Sequence, residues 1–439
     1  MNNKNPLSQS LQLPCGATLS NRICKAAMTE GIADRYLRAT DRHAQLYRTW
    51  SEGGAGLLLT GNVMIDRRVM ERPGNVAIDP AMPDPQSMVR LEAWARAGTV
   101  NGNHLWMQIS HAGRQSPWYV ASEPLAPSAV QLDIAGNYRR PRALREEEIL
   151  DFIQRFASVA RTAREAGFTG VQIHGAHGYL ISSFLSPVTN RRTDAWGGSL
   201  ENRARFLLEV IKATRKAVGP DFPVGLKLNS SDFQKGGFSH EECLQVVHWL
   251  NDSSIDLLEV SGGTYEQPRL IGAIGDERTA EEMPKADSTR RREAYFLEYA
   301  AAIRQVATMP MMVTGGFRTL EGMELAMIED NIDVIGLGRP LCTDPDVPKR
   351  LLTGELSTLP GYERDLRWGT GVFGPTSKVM LFKAVNLLGQ QGWYYQQIAR
   401  LSDGLAPVRG RGVFSAFMRY QYDEHVTAWH MRRVRRHSN

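Results

Sequence analysis

Short apolar runs alternate along the chain with longer stretches in which apolar residues recur every three or four positions. Eight short runs stand out: "RICKA" (22–26), "GLLLTG" (56–61), "HLWMQIS" (104–110), "GVQIH" (170–174), "VGLKLN" (224–229), "LLEVSG" (257–262), "MMVTGG" (311–316) and "VIGLG" (334–338). They are apolar almost throughout, as strands covered on both faces are. The clearest helical stretch between them is "REEEILDFIQRFASVARTAREAGF". Its acidic first turn suits the positive end of the helix dipole, Ile149, Phe152, Ile153, Phe156 and Ala160 recur at helix spacing, and Gly167 marks a stop. "SLENRARFLLEVIKATRKAVG" repeats the pattern and ends at Gly219, while "HEECLQVVHWLNDSSI" and "RREAYFLEYAAAIRQVA" fill the next gaps.

Strand–helix alternation repeated eight times predicts an α/β fold, a (β/α)8 barrel over residues 1–355. "LQLPCGATLSNR", ahead of the first strand, predicts a hairpin that plugs the barrel floor. Residues 356–439 remain as a mainly helical C-terminal extension. Its run Val379, Met380, Leu381, Phe382, Val385, Leu387, Leu388, Trp393, Tyr394 and Tyr395 is too apolar to leave in water. Packing against the barrel, or across the interface of a homo-oligomer, fits that run better than a membrane-surface helix, because the cations cluster at the very end.

Composition narrows the classes. The 439 residues carry a net charge of +5, which does not by itself call for nucleic acid, and no nucleic-acid-binding pattern accompanies it. The four cysteines, Cys15, Cys24, Cys243 and Cys342, are scattered, with no C-x-x-C to suggest zinc or an iron–sulfur cluster. No run is long enough to span a membrane, and the start "MNNKNPLSQSLQLP" lacks the marks of a signal peptide, so a cytoplasmic location is expected.

Barrel chemistry sits at the C-terminal ends of strands. Those ends read Ala26-Ala27-Met28-Thr29, Gly61, Gln108, His174, Lys227, Gly262, Gly315-Gly316 and Gly338-Arg339. Two glycine-rich ends on adjacent strands, with an arginine following, either make turns only or let backbone N–H groups cradle a phosphate. His174 and His177 lie three apart in "IHGAHGY", which is not a helical stretch and has no acidic third ligand nearby. They can be structural histidines, a metal pair, or two imidazoles that donate to one substrate oxygen, with Tyr179 as the acid that protonates carbon. Lys227 needs an anionic partner or a salt bridge to a neighbouring strand, and Gln108 is either a ligand for an amide-like ring edge or a polar plug. His111, Arg114, Trp196, Tyr47 and Trp50 read as structural.

The ordered motifs "NRICKAAMTEG", "TDRHAQLYRTWSEGGAGLLLTGNV", "QISHAGRQS", "SEPLAPSAV", "IHGAHGYLISSFLSPVTNRRTDAWGGSLENR" and "VTGGF…VIGLGRPL" resemble the Old Yellow Enzyme family of FMN-dependent NAD(P)H:flavin oxidoreductases, in its bacterial two-histidine branch. The resemblance covers about residues 5–350. It implies bound FMN, NAD(P)H as electron donor and an electrophilic alkene (enone, enal or nitroalkene) as substrate. Ala26, Ala27, Met28 and Thr29 would line the flavin, with the Thr29 hydroxyl at its O4 or N5 edge. Gly61 and Gln108 would meet the pyrimidine side and Lys227 the N1 and O2 region. Gly315, Gly316, Gly338 and Arg339 would hold the phosphate. His174 and His177 would bind the substrate's oxygen, and Tyr179 would donate the proton. The chain departs from the branch at Thr29, where a redox-tuning cysteine is frequent, at Gly31, where a tyrosine is, and at Lys227, where an arginine is. Three other readings stand beside this one: an NAD(P)H oxidase or quinone reductase on the same site, a non-catalytic flavin-binding scaffold, and a metal-dependent barrel hydrolase or lyase.

Overall fold

The structure is a computed structural model and describes residues 5–134, 136–262 and 297–437. Eight parallel strands close into one barrel: β1 Ile23–Lys25, β2 Leu57–Met64, β3 His104–Ser110, β4 Gly170–Gly175, β5 Val224–Asn229, β6 Leu257–Ser261, β7 Met311–Thr314 and β8 Val334–Leu337. All eight expected runs form the strands, and β8 returns to β1 with Ile335 opposite Ile23 and Leu337 opposite Lys25. Nearly every strand residue is buried, which is why the runs are continuously apolar. At the floor, Leu11–Gln12 pairs antiparallel with Thr18–Leu19. Leu11, Leu13 and Leu19 from this hairpin pack against Leu57, Trp106, Leu257, Met312 and Val334. The hairpin thus closes this end of the barrel with apolar side chains.

Helices α1 Asp41–Glu52, α2 Pro85–Ala97, α3 Glu146–Glu165, α4 Leu180–Leu185, α5 Leu200–Val218, α6 His240–Leu250, α7 Leu297–Arg304, α8 Leu320–Ile328 and α9 Val347–Leu352 follow the strands. In α3 the acidic residues Glu146, Glu147 and Glu148 occupy the first turn, and the expected apolar stripe faces the core. Ser199 caps α5 by accepting from the Asn202 amide. α6 ends at Leu250, short of the expected Ile255, because Asn251 closes it and turns its side-chain amide to the Val306 carbonyl. Residues 291–296 of the expected helix "RREAYFLEYAAAIRQVA" lie outside the described residues, and the rest contains α7.

Two long helices, α10 Met380–Ser402 and α11 Val413–His437, make up most of the C-terminal part. α10 lies on α1, where Arg42 donates to the Ala399 carbonyl at 3.1 Å and pairs with Asp403 at 2.7 Å. Trp393, Val385 and Ile398 are buried, whereas Val379, Met380 and Leu381 at the start of the helix are exposed. Among the described residues no helix is long and apolar enough to cross a membrane. Trp393 has no solvent exposure. Trp393→Ala should therefore cost about 3–5 kcal/mol, the range for emptying a large aromatic site. A chemical-denaturation midpoint equal to that of the unmodified chain would show that the site collapses freely.

Candidate active site

β4 carries His174 as its penultimate residue, and the chain then turns sharply. His177 (φ 63°) and Gly178 (φ 81°) both take left-handed backbone, before Tyr179 opens α4 at its N-cap. Left-handed backbone is strained for histidine, so its surroundings must hold it. They do: the His177 amide donates to Asn229 Oδ1 at 3.1 Å, its carbonyl accepts from Gln115 Nε2 at 3.0 Å, and its Nε2 lies 2.7 Å from Ser261 Oγ. The turn gathers the three rings at the mouth. The His174 ring centre lies 5.2 Å from that of His177 and 4.7 Å from that of Tyr179. Burial, reinforced by the nearby Lys227 cation, holds both imidazoles well below their ordinary pKa, so they are neutral and each carries one N–H. Nδ1 of His174 is buried and meets no other residue's polar atom.

Below them a polar chain crosses four strands. Gln108 Nε2 donates to Gln172 Oε1 at 2.7 Å, Gln172 Nε2 donates to Glu259 Oε2 at 2.7 Å, and Glu259 Oε1 pairs with Lys227 Nζ at 2.9 Å. Lys227 and Glu259 are register partners on β5 and β6, so the salt bridge to a neighbouring strand is the arrangement adopted. Gln172 and Glu259 were legible as polar residues inside apolar runs, yet reading strand ends alone passed over them. Among the described residues no cluster of three His, Cys, Asp or Glu could hold a metal. His111 sits 3.8 Å from Asp66 and accepts the Leu180 amide at its carbonyl, while Trp196 is buried beside Glu146.

On the far side of the mouth, Ala26 donates its amide to the Leu337 carbonyl, which sets residues 26–29 between β8 and β2. The Gly61 amide donates to Glu30 at 2.8 Å, and a side chain at Gly61 would strike the Met28 carbonyl and Thr29. Thr29 Oγ1 donates to the Glu71 carboxyl group at 2.9 Å. Gly315 (φ 109°) and Gly316 (φ 85°) adopt backbone that L side chains rarely take, and Gly338 and Arg339 follow β8 beside them. Arg339 lies 3.8 Å from Glu363, a residue of the C-terminal part; Arg318 also pairs with Glu363, and Tyr394 donates to it at 2.9 Å. This arginine pair already binds an anion, which is the property a phosphate requires. Paired glycines beside two cations, with a buried polar chain at the barrel mouth, fit FMN. Glu71, Arg318 and Glu363 had no sequence signal, since Glu71 and Arg318 lie on loops and Glu363 in a single 3-10 turn, none of which carries a periodicity.

A parallel barrel with glycines and arginines at the ends of its last two strands, and neutral histidines at its mouth, is an architecture that flavin-type oxidoreductase barrels share. Comparison with known proteins agrees. The model of the NADH:flavin oxidoreductase / NADH oxidase family matches residues 11–356. An NADH-dependent flavin oxidoreductase of Talaromyces variabilis is 33% identical over 419 residues, covering 90% of this chain and 98% of that protein. One of Neonectria sp. is 36% identical over 80% of this chain, which spans only 48% of that longer protein. Among solved structures, a 2-naphthoyl-CoA reductase complex superposes with a TM-score of 0.70 at 29% identity, covering 80% of this chain and 52% of that one. An Old Yellow Enzyme homologue from Zymomonas mobilis gives 0.66 at 26%, covering 80% and 94%. The chain belongs to the NADH:flavin oxidoreductase / NADH oxidase family, the Old Yellow Enzyme family, with FMN as cofactor and NAD(P)H as donor.

Two outcomes follow from this geometry. Lys227→Met leaves Glu259 buried without its counter-charge and should destabilise by about 3–5 kcal/mol, whereas Lys227→Met with Glu259→Met should recover most of that loss. Urea denaturation of the single and double variants measures it. The second concerns pH. His43, His174 and His177 all have folded-state pKa values depressed by burial below the unfolded 6.5. Below that pH the unfolded chain takes up protons that the folded chain resists. The stability these groups confer is thus present above 6.5 and is lost as the pH falls toward their folded values. Melting temperatures should drop from about pH 7 to about pH 5; a flat profile would mean that these imidazoles protonate in place.

Proposed function

We propose that this enzyme reduces a carbon–carbon double bond conjugated to a carbonyl or nitro group. The observation that carries the reading is the meeting of two neutral imidazoles and a phenol at the end of β4. FMN, when bound, would supply the redox chemistry of hydride transfer between nicotinamide and alkene. The protein's own groups do the rest. His174 and His177 each present an N–H to the substrate's activating oxygen and stabilise the negative charge that builds there. Tyr179 delivers a proton to the carbon next to the activating group. Gly315, Gly316, Gly338 and Arg339 would hold the cofactor's phosphate. Ala26, Ala27, Met28 and Thr29 would line its ring, while Gly61, Gln108 and the Lys227–Glu259 pair would meet its polar edge. NADH is the expected donor, since the fungal relatives are named as NADH-dependent.

A second reading keeps the same site but passes the electrons to oxygen or a quinone. A relative from Thermoanaerobacter brockii, 34% identical over 76% of this chain, is named an NADH oxidase. Anaerobic turnover with and without an alkene separates the two. Tyr179→Phe should slow alkene reduction by about 10²-fold or more, the scale of a positioned general acid, while the nicotinamide still reduces the flavin. Stopped-flow traces of the alkene-dependent phase that match the unmodified enzyme would remove Tyr179 from the mechanism.

A further inference from the structure

The C-terminal helices and the barrel rim form a cleft of about 360 Å³, within the size range of small-molecule sites. Glu30, Gly31 and Arg72 build its barrel side. Glu30 follows Thr29 along the chain and Arg72 follows Glu71, and Thr29 Oγ1 donates to the Glu71 carboxyl group, which the Tyr179 phenol also contacts. The cleft therefore begins one residue away from groups at the barrel mouth. Its other walls come from α10, α11 and the loop between them, with Tyr395, Arg400, Arg411 and Arg419 among the lining residues.

Five arginines line this cleft, and their partners single out two. Arg42 pairs with Asp403 at 2.7 Å, Arg419 with Asp423 at 2.8 Å, and Arg72 with Glu424. Glu30, the third carboxylate of the lining, accepts from the Gly61 amide at 2.8 Å and interacts with the charge of the buried Lys25. Arg400 and Arg411 meet no carboxylate among the described residues. Arg400 Nε donates to the Ala406 carbonyl at 2.7 Å, and Arg411 Nη1 donates to Gln396 Oε1 at 2.6 Å. Arg72 is 8% exposed, and its Nη1 is buried beside Gly31 with no hydrogen-bond partner among the described residues. A buried guanidinium N–H without an acceptor is costly, and a bound oxyanion would relieve that cost.

We propose that this cleft binds the diphosphate of the nicotinamide donor. Arg400 and Arg411 supply the positive charge, and the free Nη1 of Arg72 supplies a further N–H. A diphosphate that bridges two nucleosides is a dianion, and the guanidinium fork matches the geometry of phosphate oxygens. The nicotinamide has to reach the flavin at the barrel mouth, so the rest of the donor needs a seat outside the strands. The cleft offers one beside the segment set at the flavin edge. The proposal rests on NAD(P)H as the donor and holds whichever acceptor the enzyme reduces.

Reduced nicotinamide mononucleotide tests it, because it carries the same reacting ring but has one phosphate and no adenosine. Rapid-mixing measurements of flavin reduction in the FMN-loaded full chain should give an apparent Kd about 10-fold or more lower for NADH than for the mononucleotide, the scale of a charge-assisted hydrogen bond to phosphate. Arg400→Gln and Arg411→Gln replace side chains that are partly or fully exposed. Each should raise the NADH value about 10-fold and so remove most of its advantage over the mononucleotide. Equilibrium dialysis gives a readout without turnover: ADP should bind the oxidised enzyme, and both variants should hold it more weakly. ADP left unbound, or inorganic phosphate held as tightly as ADP, would overturn the proposal. Equal values for NADH and the mononucleotide in the unmodified enzyme would overturn it too. Variants that raise the KM of the alkene and leave the NADH value unchanged would assign the cleft to an acid group of the substrate instead. None of these outcomes bears on alkene reduction itself, which the Tyr179→Phe measurement tests separately.

Discussion

A charged group on a strand buried on both faces must find polar partners inside the fold. That constraint organises this protein. The barrel interior admits Lys227 only because Glu259 stands opposite it in register, and Glu259 in turn uses its second oxygen on Gln172, which reaches Gln108. Four strands are thus tied by one polar chain, and no buried charge in it is left unmatched. The hairpin seals the floor with leucines, so reactive groups are confined to the rim where the strands end. His174, His177 and Tyr179 stand there because a turn with two left-handed residues folds the chain back on itself.

The C-terminal part extends this logic outward. Its helices do more than cover the outside of α1, since two of its carboxylates reach arginines at the rim. Glu363 holds Arg318 and Arg339 beside the glycines that follow β7 and β8, and Glu424 holds Arg72 next to Glu71. Charges that would repel or mispair in a dry setting are each given a partner, at the cost of ordering some eighty residues that a bare barrel would not need. The exposed Val379, Met380 and Leu381 show that the coverage is uneven.

The eight strands and the helices between them were legible because burial on both faces writes itself as uninterrupted apolar runs, and because helix faces repeat at a fixed spacing. His174, His177 and Tyr179 were legible because polar rings at a strand's end are conspicuous. Lys227 was noticed but its partner was not, since Glu259 sits mid-run and its meaning depends on a neighbour over thirty residues earlier. Glu71 was missed for a different reason: loops carry no period. Its relation to Glu424 runs through Arg72, across more than three hundred residues, and only a folded chain brings those groups together. The departure at Gly31 also becomes intelligible. A side-chain carbon there would lie 2.8 Å from the Arg72 guanidinium, so the space a tyrosine would fill is the space that arginine passes through.

That corridor couples position 31 to the C-terminal helix. A side chain at 31 would meet the tip of the Arg72 side chain, which would have to shift relative to Glu424 and Tyr395.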